Sequence, residues 1–177
     1  MQFDVLTALL ERSGMSQRAL QKKTGYSLGS VNKTLHELGD AGLVDGGAVS
    51  ASGLDALEPY RVKRAVIIAA GFGSRLVPVT LNTPKPLVRV NGKRIIDGIL
   101  DALLAACIED IVIVRGYLSE QFDQLLYKYP MIRFIENPAY NEANNISSAM
   151  CARYLLSEAY VCEADLLISN PALIKKY

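Results

Sequence analysis

Two cations, Arg75 and Lys85, flank a run of very small residues, Ala69-Ala70-Gly71 and then Gly73-Ser74. The run follows Val66-Ile67-Ile68, a β-branched stretch suited to a strand buried on both faces of a parallel sheet. Small residues let a ligand approach the backbone closely. A strand opening into a glycine turn also presents several free N–H groups, which together attract an anion. Arg75 and Lys85 add fixed positive charge at the same mouth, and Pro84 and Pro86 stiffen the chain around the lysine. The chemistry this set suits is the holding of phosphates. It is neither a Walker loop, which needs G-K-[ST], nor a complete G-x-G-x-x-G, because position 76 is Leu. His36 is the only histidine, so mechanisms that need a histidine base or histidine metal ligands are poorly supplied.

The order A-A-G-x-G-[ST]-R followed by P-K resembles the signature of nucleotidyltransferases, which make nucleoside-diphosphate sugars or CDP-alcohols from an NTP and a phosphate monoester. The resemblance implies a Rossmann-like parallel α/β domain, a Mg²⁺ cofactor and transfer of a nucleotidyl group with release of pyrophosphate. It implies that backbone groups around Ala70, Gly71, Gly73 and Ser74 hold the nucleotide. Arg75 would neutralise its β- and γ-phosphates, and Lys85 would reach the α-phosphate and the acceptor phosphate. Asp165, which closes a strand after the small Ala164, falls where the family coordinates Mg²⁺, although an Asp after a strand also serves as a helix cap. Strand alternation is expected to turn Glu163 away from this site. The stretch Val114-Arg-Gly-Tyr-Leu, with Gly116 and Tyr117, resembles the choline-phosphate cytidylyltransferase branch, as does Asn137-Pro-Ala-Tyr-Asn-Glu-Ala-Asn-Asn-Ile-Ser-Ser148. There Asn144 would lie at the nucleotide with Ser147 nearby; the alternative for Asn144 is a plain N-cap. In contrast, Asn82-Thr-Pro-Lys-Pro-Leu-Val88 is closer to the sugar-1-phosphate enzymes. CTP is the expected nucleotide, and a phosphate monoester such as phosphocholine the expected acceptor.

The elements that must position these residues alternate between strand and helix from residue 64 onward. Strands are expected over 64–70, 110–114 and 132–135, with a fourth starting at Tyr160. Asn91-Gly92 between β-formers predicts a hairpin within 87–95. Helices are expected over 97–107, 119–127 and 145–157, the last with Met150, Tyr154 and Leu155 inward. Such alternation predicts a parallel sheet with ligands at the carboxyl ends of its strands, where Gly71, Gly116 and Asp165 fall. Catalytic domains of the resembled family are considerably longer than the portion of this chain beyond position 60. The second metal carboxylate and most of the acceptor pocket are therefore expected to be missing here.

Residues 1–60 read differently. Val5, Leu6, Leu9 and Leu10 lie at helical spacing up to Ser13-Gly14, and Ser16 begins a second helix bearing Ala19 and Leu20. After Thr24-Gly25-Tyr26, Ser27 begins a third, with Val31, Leu35 and Leu38. Short strands around Gly46-Gly47 and a last helix capped by Ser52 complete the pattern. It resembles the winged helix-turn-helix domains of MarR-type bacterial regulators. That resemblance makes Arg18, Lys22, Lys23, Asn32, Lys33 and His36 candidates for DNA contact. Five basic side chains against seven acidic ones leave this stretch at net −2, the wrong sign for phosphate-driven affinity, and favour assembly over DNA binding. The domain boundary is expected in the charged, proline-containing Glu58–Arg64 stretch, giving domains 1–60 and 61–177, and a homodimer is expected.

Charge is nearly balanced over all 177 residues, with 19 basic and 18 acidic, so no global field argues for nucleic acid or membrane. No apolar run approaches the length of a membrane span, and Met1-Gln-Phe-Asp lacks the basic region of a signal peptide. A cytoplasmic protein is expected, with Cys107, Cys151 and Cys162 as buried free thiols.

Overall fold

In a computed structural model the chain divides into two units, Met1–Arg61 and Val62–Tyr177. The structure describes residues 1–143, 145–166, 168 and 174.

The first unit packs helices α1 (Gln2–Glu11), α2 (Gln17–Thr24) and α3 (Leu28–Asp40) around Val5, Leu6, Leu9, Leu20, Val31 and Leu38. Ser16 and Ser27 cap α2 and α3 by accepting the N–H of Ala19 and Ser30, and Gly25 ends α2 in the left-handed conformation at φ 75°. Leu10 lies outside this core and is exposed, because Ala8 and Leu9 face inward in its place. A two-residue hairpin follows, β1 (Val44–Asp45) and β2 (Ala48–Val49), turning on Gly46 and Gly47 at φ 55° and 81°. Both positive angles match a type I′ turn. Ser50, not Ser52, caps α4 (Ala51–Leu57): its Oγ accepts the N–H of Gly53 and donates to the carbonyl of Gly42. These two hydrogen bonds tie the start of the helix to the chain just before the wing, and Ser52 is left on the helix surface.

Thr34 sits in the middle of α3 at 0% exposure, and its Oγ1 has no hydrogen-bond partner among the described residues. A hydroxyl buried without a partner costs about 1–3 kcal/mol of desolvation. Thr34→Val keeps the shape and removes that cost. It is expected to stabilise the first unit by about 1 kcal/mol in urea unfolding, and a destabilised variant would contradict the reading.

The second unit is a four-stranded parallel sheet in the order β7-β6-β3-β8: Arg133–Glu136, Asp110–Arg115, Arg64–Ile68 and Ala159–Glu163. The hairpin β4 (Arg89–Val90) and β5 (Lys93–Arg94) turns on Asn91 and Gly92, both at positive φ, as the sequence predicts. Helix α5 (Ile95–Ala105) starts directly from β5, two residues earlier than its apolar spacing suggests. The buried Asp97 carboxylate accepts from the Arg94 backbone N–H and guanidinium, which fixes that start. Burial would raise the Asp97 pKa, but the bonds from Arg94 outweigh it and hold the carboxyl below its ordinary value. Residues Ser119–Tyr127 wind as 3₁₀ turns, sending Phe122 and Leu125 into the core with Ile67, Leu100, Leu103 and Ile113.

Helix α6 (Asn145–Cys151) differs from expectation in length and in phase. It ends at Cys151, followed by a 3₁₀ turn at Arg153–Leu155. Met150 and Tyr154 are exposed, whereas Ser148 and Ala152 face the sheet. Small inner residues let the helix lie close to β3 and β6, and Asn137 satisfies the hydroxyls of Ser147 and Ser148. The three cysteines are free, but none is buried: Cys107 is exposed, and Cys151 and Cys162 are half-buried.

Candidate functional site

Strands β3 and β8 are neighbours in the sheet, yet the chain passes through β6 and β7 between them. This is the point where strand order reverses, and open α/β sheets bind ligands outside the carboxyl ends at such a point. A cleft of about 170 Å³ lies there, lined by Ala69, Gly71, Gly73 and Arg75 after β3, by Lys85 and Pro86, by Asn145, by Glu163 at the end of β8 and by Asp165 just after it.

Several contacts shape the glycine loop. Gly73 has φ +70°, and a Cβ there would lie 3.1 Å from both Lys85 Cβ and Thr80 Cγ2. The buried Thr80 donates its hydroxyl to the Gly73 carbonyl at 3.0 Å. Tyr117 donates its backbone N–H to the Ala70 carbonyl at 3.1 Å and its hydroxyl to the Leu81 carbonyl at 2.7 Å, while Gln121 Nε2 donates to the Asn82 carbonyl. The Tyr117 ring meets Phe72 edge-on at 4.5 Å. Loop 70–82 is therefore laced to the segment after β6 before any ligand arrives.

The charged groups stand in two states. Arg75 is exposed and has no hydrogen-bond or ion-pair partner among the described residues. Lys85, held between the buried Pro84 and Pro86, donates Nζ to Asp165 Oδ2, with the two side chains 29% and 32% exposed. Glu163 accepts from Asn145 Nδ2 at 2.8 Å and lines the same cleft, contrary to the expectation that it points away. Glu163 ends β8 and Asp165 lies two residues on, in the turn that follows, and the two line the cleft together.

Ser74 is exposed at the start of the 3₁₀ turn Ser74–Leu76, and Ala70 is buried at the end of β3. Gly116 packs beneath Tyr140, whose Cβ would lie 2.6 Å from an added methyl, so Gly116 and Tyr117 support the loop. Ser147 accepts from Asn137 Nδ2 at 2.9 Å. Asn144 lies outside the described residues. Glu163 and Asn145 line the cleft and the buried Thr80 braces its loop; the motif singled out none of the three, and only the fold assembles them.

In the first unit, Arg18, Lys22, Lys23, Asn32, Lys33 and His36 are all exposed. Lys23 pairs with Glu11, Lys33 lies 3.8 Å from Glu37, and Asn32 accepts from Gln17 Nε2 at 2.8 Å. Acidic neighbours thus accompany two of its cations.

No helix among the described residues is long and apolar enough to cross a membrane. Residues 64–170 match the model of the family described as Nucleotidyl transferase, and residues 1–51 that of the MarR family. The chain is 47% identical over 108 residues to the 2-aminoethylphosphonate cytidylyltransferase of Lancefieldella rimae, covering 60% of this chain and 44% of that protein. It is 45% identical over 102 residues to the choline-phosphate cytidylyltransferase of Streptococcus pneumoniae, covering 58% and 44%. The solved CTP:phosphocholine cytidylyltransferase of Streptococcus pneumoniae superposes with a TM-score of 0.59 at 43% identity, over 63% of this chain and 48% of that one. The chain thus spans a little under half the length of these relatives.

Proposed function

We propose, for a chain that belongs to the nucleotidyl transferase family, that the cleft between β3 and β8 binds CTP for cytidylyl transfer to a phosphate or phosphonate acceptor. The observation that carries this is the meeting of Arg75, unpaired among the described residues, with Lys85 and two carboxylates at a preformed glycine loop. In the reaction, an acceptor oxygen forms a bond to the α-phosphorus of CTP as the bond from that phosphorus to the β-phosphate oxygen breaks, and pyrophosphate leaves. The acceptor oxygen is already ionised, so no strong base is required. Positioning and charge neutralisation dominate. Arg75 takes the β- and γ-phosphates, loop N–H groups orient the chain of phosphates, and Lys85 meets the α-phosphate.

Glu163 and Asp165 fit Mg²⁺, which takes one or two carboxylates and completes its shell with water and substrate phosphates. Bound there, the cation would supply further neutralisation of phosphate charge. Acceptors of the kinds the relatives are named for, 2-aminoethylphosphonate and phosphocholine, are the first to try. For the first unit we propose assembly, as a dimer, in preference to DNA binding, because its exposed cations are few and partly neutralised.

Calorimetry with CTP, UTP, dTTP and ATP in Mg²⁺ tests the proposal. CTP is expected to bind best, and no binding by any nucleotide would overturn it. Arg75→Ala is expected to cost about 1.5–3 kcal/mol of CTP affinity, the range for a hydrogen bond to a charged group.

A further inference from the structure

We infer that Lys85 is the resident counter-ion of the cation seat, so that divalent cation and nucleotide enter the cleft together and not independently. The inference rests on the reading of the cleft as a CTP and cation site, and it adds a competition that the reading alone does not contain.

Three observations carry it. Lys85 Nζ is bonded to Asp165 Oδ2, so the carboxylate best placed to take a cation already holds one. The lysine is fixed in that place: Pro84 and Pro86 on either side are buried, and its Cβ packs against Gly73. Arg75, lining the same cleft, is left without a partner among the described residues. The two cations are therefore not equivalent. Arg75 stands ready for phosphate, whereas Lys85 must leave a carboxylate to reach one. Glu163 does not relieve this, since its Oε1 already accepts from Asn145 Nδ2 and it does not pair with Lys85.

A divalent cation arriving alone must displace an ammonium from Asp165 and leave that ammonium beside it, unpaired. A nucleotide arriving alone can draw Lys85 away but leaves Asp165 facing phosphate. Only when both arrive would every charge find an opposite, with Lys85 released to phosphate and Asp165 free to hold the cation. Thermodynamic linkage then requires that each ligand strengthen the other by the same factor.

Manganese can stand in for the native cation and be followed by its paramagnetic resonance signal, without any turnover. Wild-type protein is expected to bind Mn²⁺ weakly alone and at least about tenfold more tightly in saturating CTP, after subtraction of the Mn²⁺ that CTP holds in protein-free solution, a coupling of roughly 1.4 kcal/mol. Lys85→Met should bind Mn²⁺ alone about three- to tenfold more tightly than wild type, because the competitor is gone, and should lose most of the coupling to CTP. Arg75→Met removes a cation from the same cleft and controls for the general field; its affinity for Mn²⁺ alone should stay near that of wild type. If Lys85→Met and wild type bind Mn²⁺ alone equally, or if Arg75→Met raises affinity as much as Lys85→Met, the competition is refuted. If Asp165→Asn leaves Mn²⁺ binding intact, the cation seat itself has been misplaced and the underlying reading fails. Circular dichroism checks the fold of each variant, and Lys85→Gln, which also removes the ammonium, repeats the measurement should Lys85→Met fold poorly.

Discussion

Gly73→Ala is expected to reduce CTP affinity by at least about thirtyfold, or roughly 2 kcal/mol, while the rest of the second unit stays folded. Two costs act at this position. The backbone sits at φ +70°, where a side chain adds about 1–2 kcal/mol of steric strain. The new methyl would also stand 3.1 Å from Lys85 Cβ and from Thr80 Cγ2. Thr80 is buried and bonded to the Gly73 carbonyl, so it yields little, and the chain at Lys85 is held by two prolines. Relief comes most readily by opening the loop, which displaces both the N–H groups and the lysine from their places. Calorimetry with CTP and Mg²⁺ checks the affinity, and circular dichroism checks the fold. Wild-type affinity in a folded variant would mean that the loop is not the phosphate cradle.

Gly53→Ala should be the most damaging single methyl in the first unit, costing about 3 kcal/mol or more of its stability. A Cβ at this position would lie 2.2 Å from the Leu43 carbonyl oxygen and 2.7 Å from Val49 Cγ1. The first of these is backbone. It also belongs to the carbonyl that accepts the Ser50 N–H, so moving it away breaks the join between wing and helix. The backbone at Gly53 is helical, and strain of conformation plays no part. Gly39→Ala in α3 is the matched comparison: nothing lies within 4 Å, and alanine should stabilise that helix by about 0.5–1 kcal/mol. Urea unfolding of the two variants should thus move in opposite directions. A Gly53→Ala protein as stable as wild type would show that α4 does not sit on the wing as described.

Part of the site is legible before any fold is known. Strand β3, the glycine turn and the Asn91-Gly92 hairpin each announce themselves locally, through β-branching and through residues that tolerate positive φ. The caps at Ser16 and Ser27 are equally local. Where local signals conflict, the sequence misleads. Ser50 and Ser52 are both acceptable caps by type, and only the Gly42 carbonyl, brought near by the wing, selects Ser50. Periodicity misplaces Met150 of helix α6 and Tyr154 beyond it, which are exposed, whereas Ser148 and Ala152, polar or small, are buried; Leu155, also expected inward, does pack against the core. Periodicity reads hydrophobicity, whereas close packing on a sheet selects size, and here the two disagree.

The sequence by itself determined the family, the alternation of strand and helix and the cationic glycine loop, because each is encoded in residues a few positions apart. Tertiary structure alone decided that residues 80 positions apart in the chain, Lys85 and Asp165, form a pair, since only the parallel crossover that sets β8 beside β3 closes that distance. It decided as well that Glu163 shares the cleft and that Thr80 and Tyr117 brace the loop. A motif specifies which groups are supplied. Which of them is already spoken for depends on contacts across the sheet, and these carry no local signal.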